Sequence, residues 1–244
     1  MADGRSDTAD FALNPRPTIA LHHVGEEREP VLVVDNATRS PQALVDFAAT
    51  ETPFEPVVPG VNGYPGIRAP APRKYVADLV AALSPLIERA FGLQGVEQGR
   101  VQCAFSMVTL PPEDLIVAQR LPHVDTVDPL QFAVLHFLCG EEFGGTAFYR
   151  HRSTGFETLS PERAAVYQAE LAREVARQPP PAAYVVGDTP LHTQTAAFDA
   201  RMDRVLVYRS RVLHSGQVRP DDPLSADPRK GRLTANVFLN YRPA

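Results

Sequence analysis

The stretch VQCAFSMVTL at 101–110 is where the chain turns from helical to extended periodicity. Its residues suit a half-buried strand, with β-branched, aromatic and sulfur-bearing side chains in a short run. FAVLHFL at 132–138 is a second apolar strand, broken by Gly140. Gly144-Gly145 marks a turn or bulge, and TAFY at 146–149 resumes extended structure. The short apolar run at 184–186, Phe198, then 205–208 and 233–240 complete a series of short strands.

Working back from 101, the periodicity is helical. Val76, Leu79, Val80, Leu83, Leu86 and Ile87 recur at helical spacing and predict a helix over 75–90, kinked or split at Pro85. Ser40-Pro41 supplies an N-cap and an N1 proline for a helix to about Thr50. VLVVD at 31–35 reads as a strand, and 52–73, with six prolines and three glycines, as an ordered loop. A further helix spans 161–178, opened by Pro161 and ended by the PPP at 179–181. Helices thus gather early and strands late, with one helical insertion around 161–178. The expected fold class is α+β with a mainly β core: helices packed on one face of a largely antiparallel double sheet or barrel. Residues 1–17 read as weakly tied down, and 18–244 as a single domain.

Composition narrows the function classes. A net charge of -5, with 22% charged residues, offers no basic surface for nucleic acid. No run of eighteen apolar residues occurs, so no membrane span is expected. The opening MADGRSDTADFALNPRP lacks the apolar core of a secretory signal. The two cysteines, Cys103 and Cys139, lie in apolar runs and read as free buried thiols. A cytoplasmic protein is expected, acting on a small molecule or a peptide. Oligomeric state is not legible.

The chemistry gathers in the β-rich half. His123 and Asp125 are two residues apart, so on an extended strand they point the same way. His214 supplies a second imidazole. Two His and one carboxylate form the ligand set that holds non-haem Fe(II) and leaves positions open for chemistry. Arg232 and Thr234 share one strand face with Asn236 and Phe238, while Leu233, Ala235, Val237 and Leu239 share the other. A charged fork and a hydroxyl are what a buried small dicarboxylate requires.

Four segments occur in an order that resembles a known family. VLVVDNATRSPQALVDFA (31–48) looks like an N-terminal strand and helix. FGGTAF (143–148) is similar to the turn after a first metal-binding strand. RVLVYRSRVLHSGQV (204–218) resembles a strand and turn bearing a distal histidine, and GRLTANVFLN (231–240) a strand bearing a basic co-substrate residue. Together they resemble the prolyl-4-hydroxylase-like branch of the 2-oxoglutarate/Fe(II)-dependent dioxygenases. The resemblance implies a double-stranded β-helix (jelly-roll) core with His123, Asp125 and His214 as iron ligands. It implies that Arg232, assisted by Thr234, pairs with the distal carboxylate of 2-oxoglutarate. In that family Fe(II), O2 and 2-oxoglutarate together oxidise a substrate C–H bond, with decarboxylation of 2-oxoglutarate to succinate. Because Asp125 is present, hydroxylation or a related oxidation is expected rather than halogenation.

The chain departs from the family in one place. His214 and Arg232 are further apart than the pattern, and PDDPLSADPRK (220–230) reads as the inserted loop. Arg219, closer to His214, is the rival carboxylate binder. His136, His151, Arg152 and Gln119 are candidates for substrate or pocket contacts. Ser106 and Thr109 read as ordinary strand residues that could face the pocket, and His192 carries no partner pattern. Two other functions fit the same ligands: a zinc-dependent hydrolase and a non-catalytic metal-binding barrel.

Overall fold

A computed structural model describes residues 11–57, 63–219, 221–222 and 224–244. Two strands open the described chain, β1 (Thr18–Val24) and β2 (Glu29–Asp35), followed by helix α1 (Pro41–Thr50). The short β3 (Glu55–Pro56) and β4 (Gly66–Pro70) precede helix α2 (Arg73–Phe91) and the long β5 (Val96–Val108). Then come β6 (Gln131–Phe137), β7 (Gly145–His151) and helix α3 (Pro161–Arg177). The chain ends with β8 (His192–Asp199), β9 (Arg204–Arg209), β10 (His214–Gln217) and β11 (Leu233–Pro243).

The fold is α+β, a double-stranded β-helix. Eight strands form one sheet in the order β1-β2-β9-β6-β11-β5-β4-β3, and three form a smaller sheet, β10-β7-β8. Among the described residues every strand pairing is antiparallel. The large sheet has two differently used faces. Leu233, Ala235, Val237 and Leu239 of β11 face a core completed by Leu44 and Val45 of α1 and by Leu79, Leu83 and Ile87 of α2. This apolar stripe exists because strand side chains alternate, and the helices cover it. The opposite face looks toward the small sheet, where Phe137, Leu206 and Tyr208 meet Phe148.

Several sequence expectations change. Pro85 neither splits nor ends its helix, which runs from Arg73 to Phe91 and closes on Gly92 in the left-handed conformation. A proline inside a helix removes one hydrogen bond, and here the buried face of Leu79, Leu83 and Ile87 holds the rest together. The Pro-rich stretch 52–73 is more than a loop, because β3 and β4 pair within it and β4 joins β5. Residues 58–62 of that stretch lie outside the described residues. Residues 184–186 form no strand, and β8 lies further on.

At the N-terminus, residues 1–10 also lie outside the described residues. From Phe11 onward the expectation of a weakly tied segment fails. Phe11 is buried edge-on against Phe47, and Asn14 donates its N–H to the Ala37 carbonyl at 2.9 Å. Helix α3 does interrupt the strand series, between β7 and β8. It is capped by the Ser160 hydroxyl, which accepts from the Arg163 N–H. Among the described residues no helix is long and apolar enough to cross a membrane.

Candidate metal centre

His123 and His214 come together through backbone pairing. Each donates its N–H to the other's carbonyl at 2.9 Å, an antiparallel bridge that lengthens the small sheet beyond β10. Asp125 follows two residues later, anchored by its N–H to the Ser210 carbonyl at 2.9 Å. One ligand atom from each of His123, Asp125 and His214 falls within 4.8 Å of the others. The Asp125 carboxylate lies 3.8 Å from the Nε2 of each histidine. Among the described residues this is the group of His, Cys, Asp or Glu side chains arranged to hold a metal ion.

The donor set suits a divalent transition metal. Nδ1 of His214 lies 2.9 Å from the Val212 carbonyl. A carbonyl can only accept, so Nδ1 carries the proton, and Nε2 is the ring atom turned toward the space it shares with Asp125. The His214 ring is buried and packs edge-on against Tyr208 at 4.9 Å between centroids. His123 lies at the open edge of the cluster, with 53% of its side-chain surface accessible. Crowding by surrounding protein lowers its pKa first, His214 lowers it further, and Asp125 opposes them. The open edge moderates the first effect, and the ring is neutral at neutral pH. Two neutral imidazoles and one carboxylate from one side form a facial triad and leave the opposite side open.

Arg232 and Thr234 approach from the large sheet. Arg232 is buried, and its guanidinium donates to the Phe143 and Gly145 carbonyls at 3.2 and 2.8 Å. It also sits over the Phe137 ring at 5.6 Å. These partners are neutral, and a buried guanidinium without a counter-ion among the described residues suits an anion. Thr234 is fully buried beside Tyr64, whose hydroxyl is pushed up by burial, with Arg232 and Arg68 opposing. The Gly144-Gly145 turn that supplies these carbonyls is glycine for steric reasons. A Cβ on Gly144 would lie 1.6 Å from the Gln217 carbonyl oxygen, at a φ of +69°, and one on Gly145 would lie 2.0 Å from that of Phe198.

Other predicted residues lie elsewhere. Arg219 is directed outward, binding the Asp222 carboxylate at 3.1 Å and the Glu141 and Glu142 carbonyls. His136 faces the helices, not the cluster. Its Nδ1 meets the Tyr75 hydroxyl at 2.6 Å and its Nε2 meets Asp203 at 3.0 Å, so both nitrogens are occupied in the core. Arg152 is on the surface, paired with Asp188 at 3.0 Å. Gln119 ties one loop to another, donating to the Gly63 carbonyl at 3.2 Å. His151 is buried against α3, with its ring nitrogens on Thr154 at 2.9 Å and Glu174 at 2.8 Å. These partners hold each side chain away from the triad.

Sequence reasoning passes over Tyr64, Arg68, Tyr208 and the group around His192. Arg68 and Tyr64 sit in the Pro-rich stretch, where no alternation marks a strand. His192 meets the Tyr167 hydroxyl at 3.2 Å, and Tyr167 reaches the Pro122 carbonyl at 3.5 Å, immediately before His123. That contact links three separate elements, which no local pattern reveals. A groove lined by Gln98, Arg100, Gln102 and Gln131 lies toward the opposite end of β11 from Arg232 and takes no part in the cluster.

A protein-family profile described as a family of unknown function (DUF6445) matches residues 15–239. Among curated proteins, none matches. Among solved structures, the chain is similar to HygX from Streptomyces hygroscopicus with nickel and 2-oxoglutarate bound, at 13% identity and a TM-score of 0.44, covering 86% of this chain and 82% of that one. It is also similar to an N-substituted L-amino acid dioxygenase from Burkholderia ambifaria AMMD, at 14% identity and a TM-score of 0.41, covering 88% and 84%.

Proposed function

The chain belongs to the DUF6445 family, and from the site it carries we propose that it is a non-haem Fe(II)- and 2-oxoglutarate-dependent oxygenase, a hydroxylase of a C–H substrate. The observation that carries this reading is the facial triad of His123, Asp125 and His214 beside a buried guanidinium with no counter-ion among the described residues. When bound, Fe(II) with 2-oxoglutarate and O2 would supply an oxidant for a C–H bond, with succinate and CO2 as co-products.

The protein's own residues have three tasks. His123, Asp125 and His214 hold the metal on one side. Arg232 fixes the distal carboxylate of 2-oxoglutarate, with the Thr234 hydroxyl assisting. Tyr208 buttresses the His214 ring, and the Val212 carbonyl fixes its tautomer. Arg232 is preferred over Arg219 because its charge is buried and carries no acid, whereas Arg219 is already paired with Asp222. The Cys103 and Cys139 thiols are free and are pushed up by burial to about 12 and 11, so both stay protonated at neutral pH.

The test is anaerobic addition of Fe(II) and 2-oxoglutarate to the metal-free protein. The expected results are a weak visible charge-transfer band and, on admitting air, succinate. A protein that gives neither, but takes up Zn(II) tightly, would not be this enzyme.

A further inference from the structure

Arg68 is a cation that forms no ion pair among the described residues and feels Asp125 only through space. It lies on β4 and pairs in register with Ser106 of β5, which in turn pairs with Thr234 of β11. Strand alternation puts these three side chains in one row on the face opposite the helix-covered core, whose members include Ala69, Phe105 and Ala235. That is the face on which Arg232 and the triad lie. The Arg68 guanidinium sits 4.6 Å over the Tyr64 ring and is close enough to Asp125 to feel its charge.

Three polar atoms of this row and its neighbour are buried without a hydrogen bond among the described residues: Nε of Arg68, Oγ of Ser106 and Oδ1 of Asn236. Ser106 is wholly enclosed. Buried polar groups are nearly always satisfied, so this wall has hydrogen-bonding capacity left for a water or a ligand. Arg68 also makes no ion pair among the described residues, and the neighbouring segment 58–62, VPGVN, contains no acid.

Charge balance identifies the ligand. A divalent metal, the Asp125 carboxylate, a dicarboxylate co-substrate and Arg232 together sum to neutrality. Arg68 then remains as one unneutralised, desolvated positive charge, which is costly unless an anion meets it. A guanidinium fork matches a carboxylate.

We propose that Arg68 seats a carboxylate of the primary substrate, which makes the substrate a small organic anion. This rests on the oxygenase reading, because it assigns the co-substrate's distal carboxylate to Arg232.

The test follows the Arg68 Nε–H signal by 15N NMR in the whole protein loaded with Zn(II), a redox-inert substitute for Fe(II). Arg68→Lys identifies the signal by its disappearance. With 2-oxoglutarate saturating, acetate is expected to move the signal saturably, with half-effect at about 1–100 mM for one charged contact. Neutral acetamide is expected to leave it in place. A signal unmoved by acetate, or moved equally by acetamide, overturns the proposal. So does a signal already displaced by 2-oxoglutarate and then insensitive to acetate, which would assign Arg68 to the co-substrate. If 2-oxoglutarate moves no arginine signal, the oxygenase reading fails on its own, and acetate added to the Zn(II)-loaded protein still decides whether Arg68 is an anion seat.

Discussion

His123 and His214 are direct cross-strand partners, exchanging both backbone hydrogen bonds at 2.9 Å with ring centroids 4.5 Å apart. Two ligands distant in sequence are therefore held by main chain, and only rotamers remain to be set when a metal arrives. This predicts a site that binds metal with little rearrangement.

Fe(II) or Co(II) should raise the melting temperature of the wild type and leave Asp125→Ala unchanged. At a metal concentration 100 times Kd, the stabilisation is about 2.7 kcal/mol. For a chain of this size that is a rise of about 5–10 °C. Equal shifts in both proteins would mean that the metal binds elsewhere.

Arg232 and Arg219 are separated by the same experiment. Replacing a charge-assisted contact to a carboxylate removes about 1.5–3 kcal/mol, so Arg232→Met should raise the Kd for 2-oxoglutarate by about 10- to 100-fold. Arg219→Ala should leave that Kd unaltered, because its guanidinium is engaged with Asp222 on the surface. Anaerobic titration of the Fe(II) protein reads both. The reverse pattern would move the co-substrate seat to Arg219.

How far the sequence reaches depends on how local each signal is. The pair His123 and Asp125 is legible because strand alternation alone puts both on one side. The two faces of β11 are legible for the same reason, and Leu233, Ala235, Val237 and Leu239 do enter the core. Strand β1 is not legible, since six of its seven residues are exposed and neither face is buried along its length. Strand β4 is hidden by its flanking Gly66 and Pro70, although it carries Arg68 into the site. The His136 environment is set by Tyr75 and Asp203 from two other elements, so its spacing within FAVLHFL could not separate core from pocket.

Gly144 should be among the least replaceable residues near the site. An alanine there combines positive φ with a Cβ on top of the Gln217 carbonyl, at the junction of β7 and β10. Gly144→Ala should destabilise the fold by more than about 1 kcal/mol. It should also weaken metal binding, because β10 begins at His214. Urea melts and metal titration check the two effects. A variant with wild-type stability would show that the turn can flip without disturbing β10.

Acid should unfold this protein partly through His192. Burial first, then the charges of His151 and Arg152, push its folded pKa down to about 3 from an ordinary 6.5. The unfolded chain therefore takes up a proton that the folded chain refuses. The resulting stability is fully present above pH 6.5 and is lost as pH falls from 6.5 toward 3. At about 1.36 kcal/mol per unit, the fall from pH 6.5 to 4.5 removes roughly 2–3 kcal/mol. Glu174 adds to the loss only lower down. Burial alone would raise its pKa, but hydrogen bonds from Ser153 and His151 hold it below the usual 4.5, so its contribution lasts until pH falls past that value. Urea midpoints measured between pH 6.5 and 4.5 therefore read the histidines, His123 with its lowered pKa among them, and the His192 share is the difference between wild type and variant. His192→Phe should flatten that slope whatever it does to overall stability, because only the difference between pH values is read. An unchanged slope would mean that His192 is protonated in the folded state, with a partner for its Nδ1 inside the core.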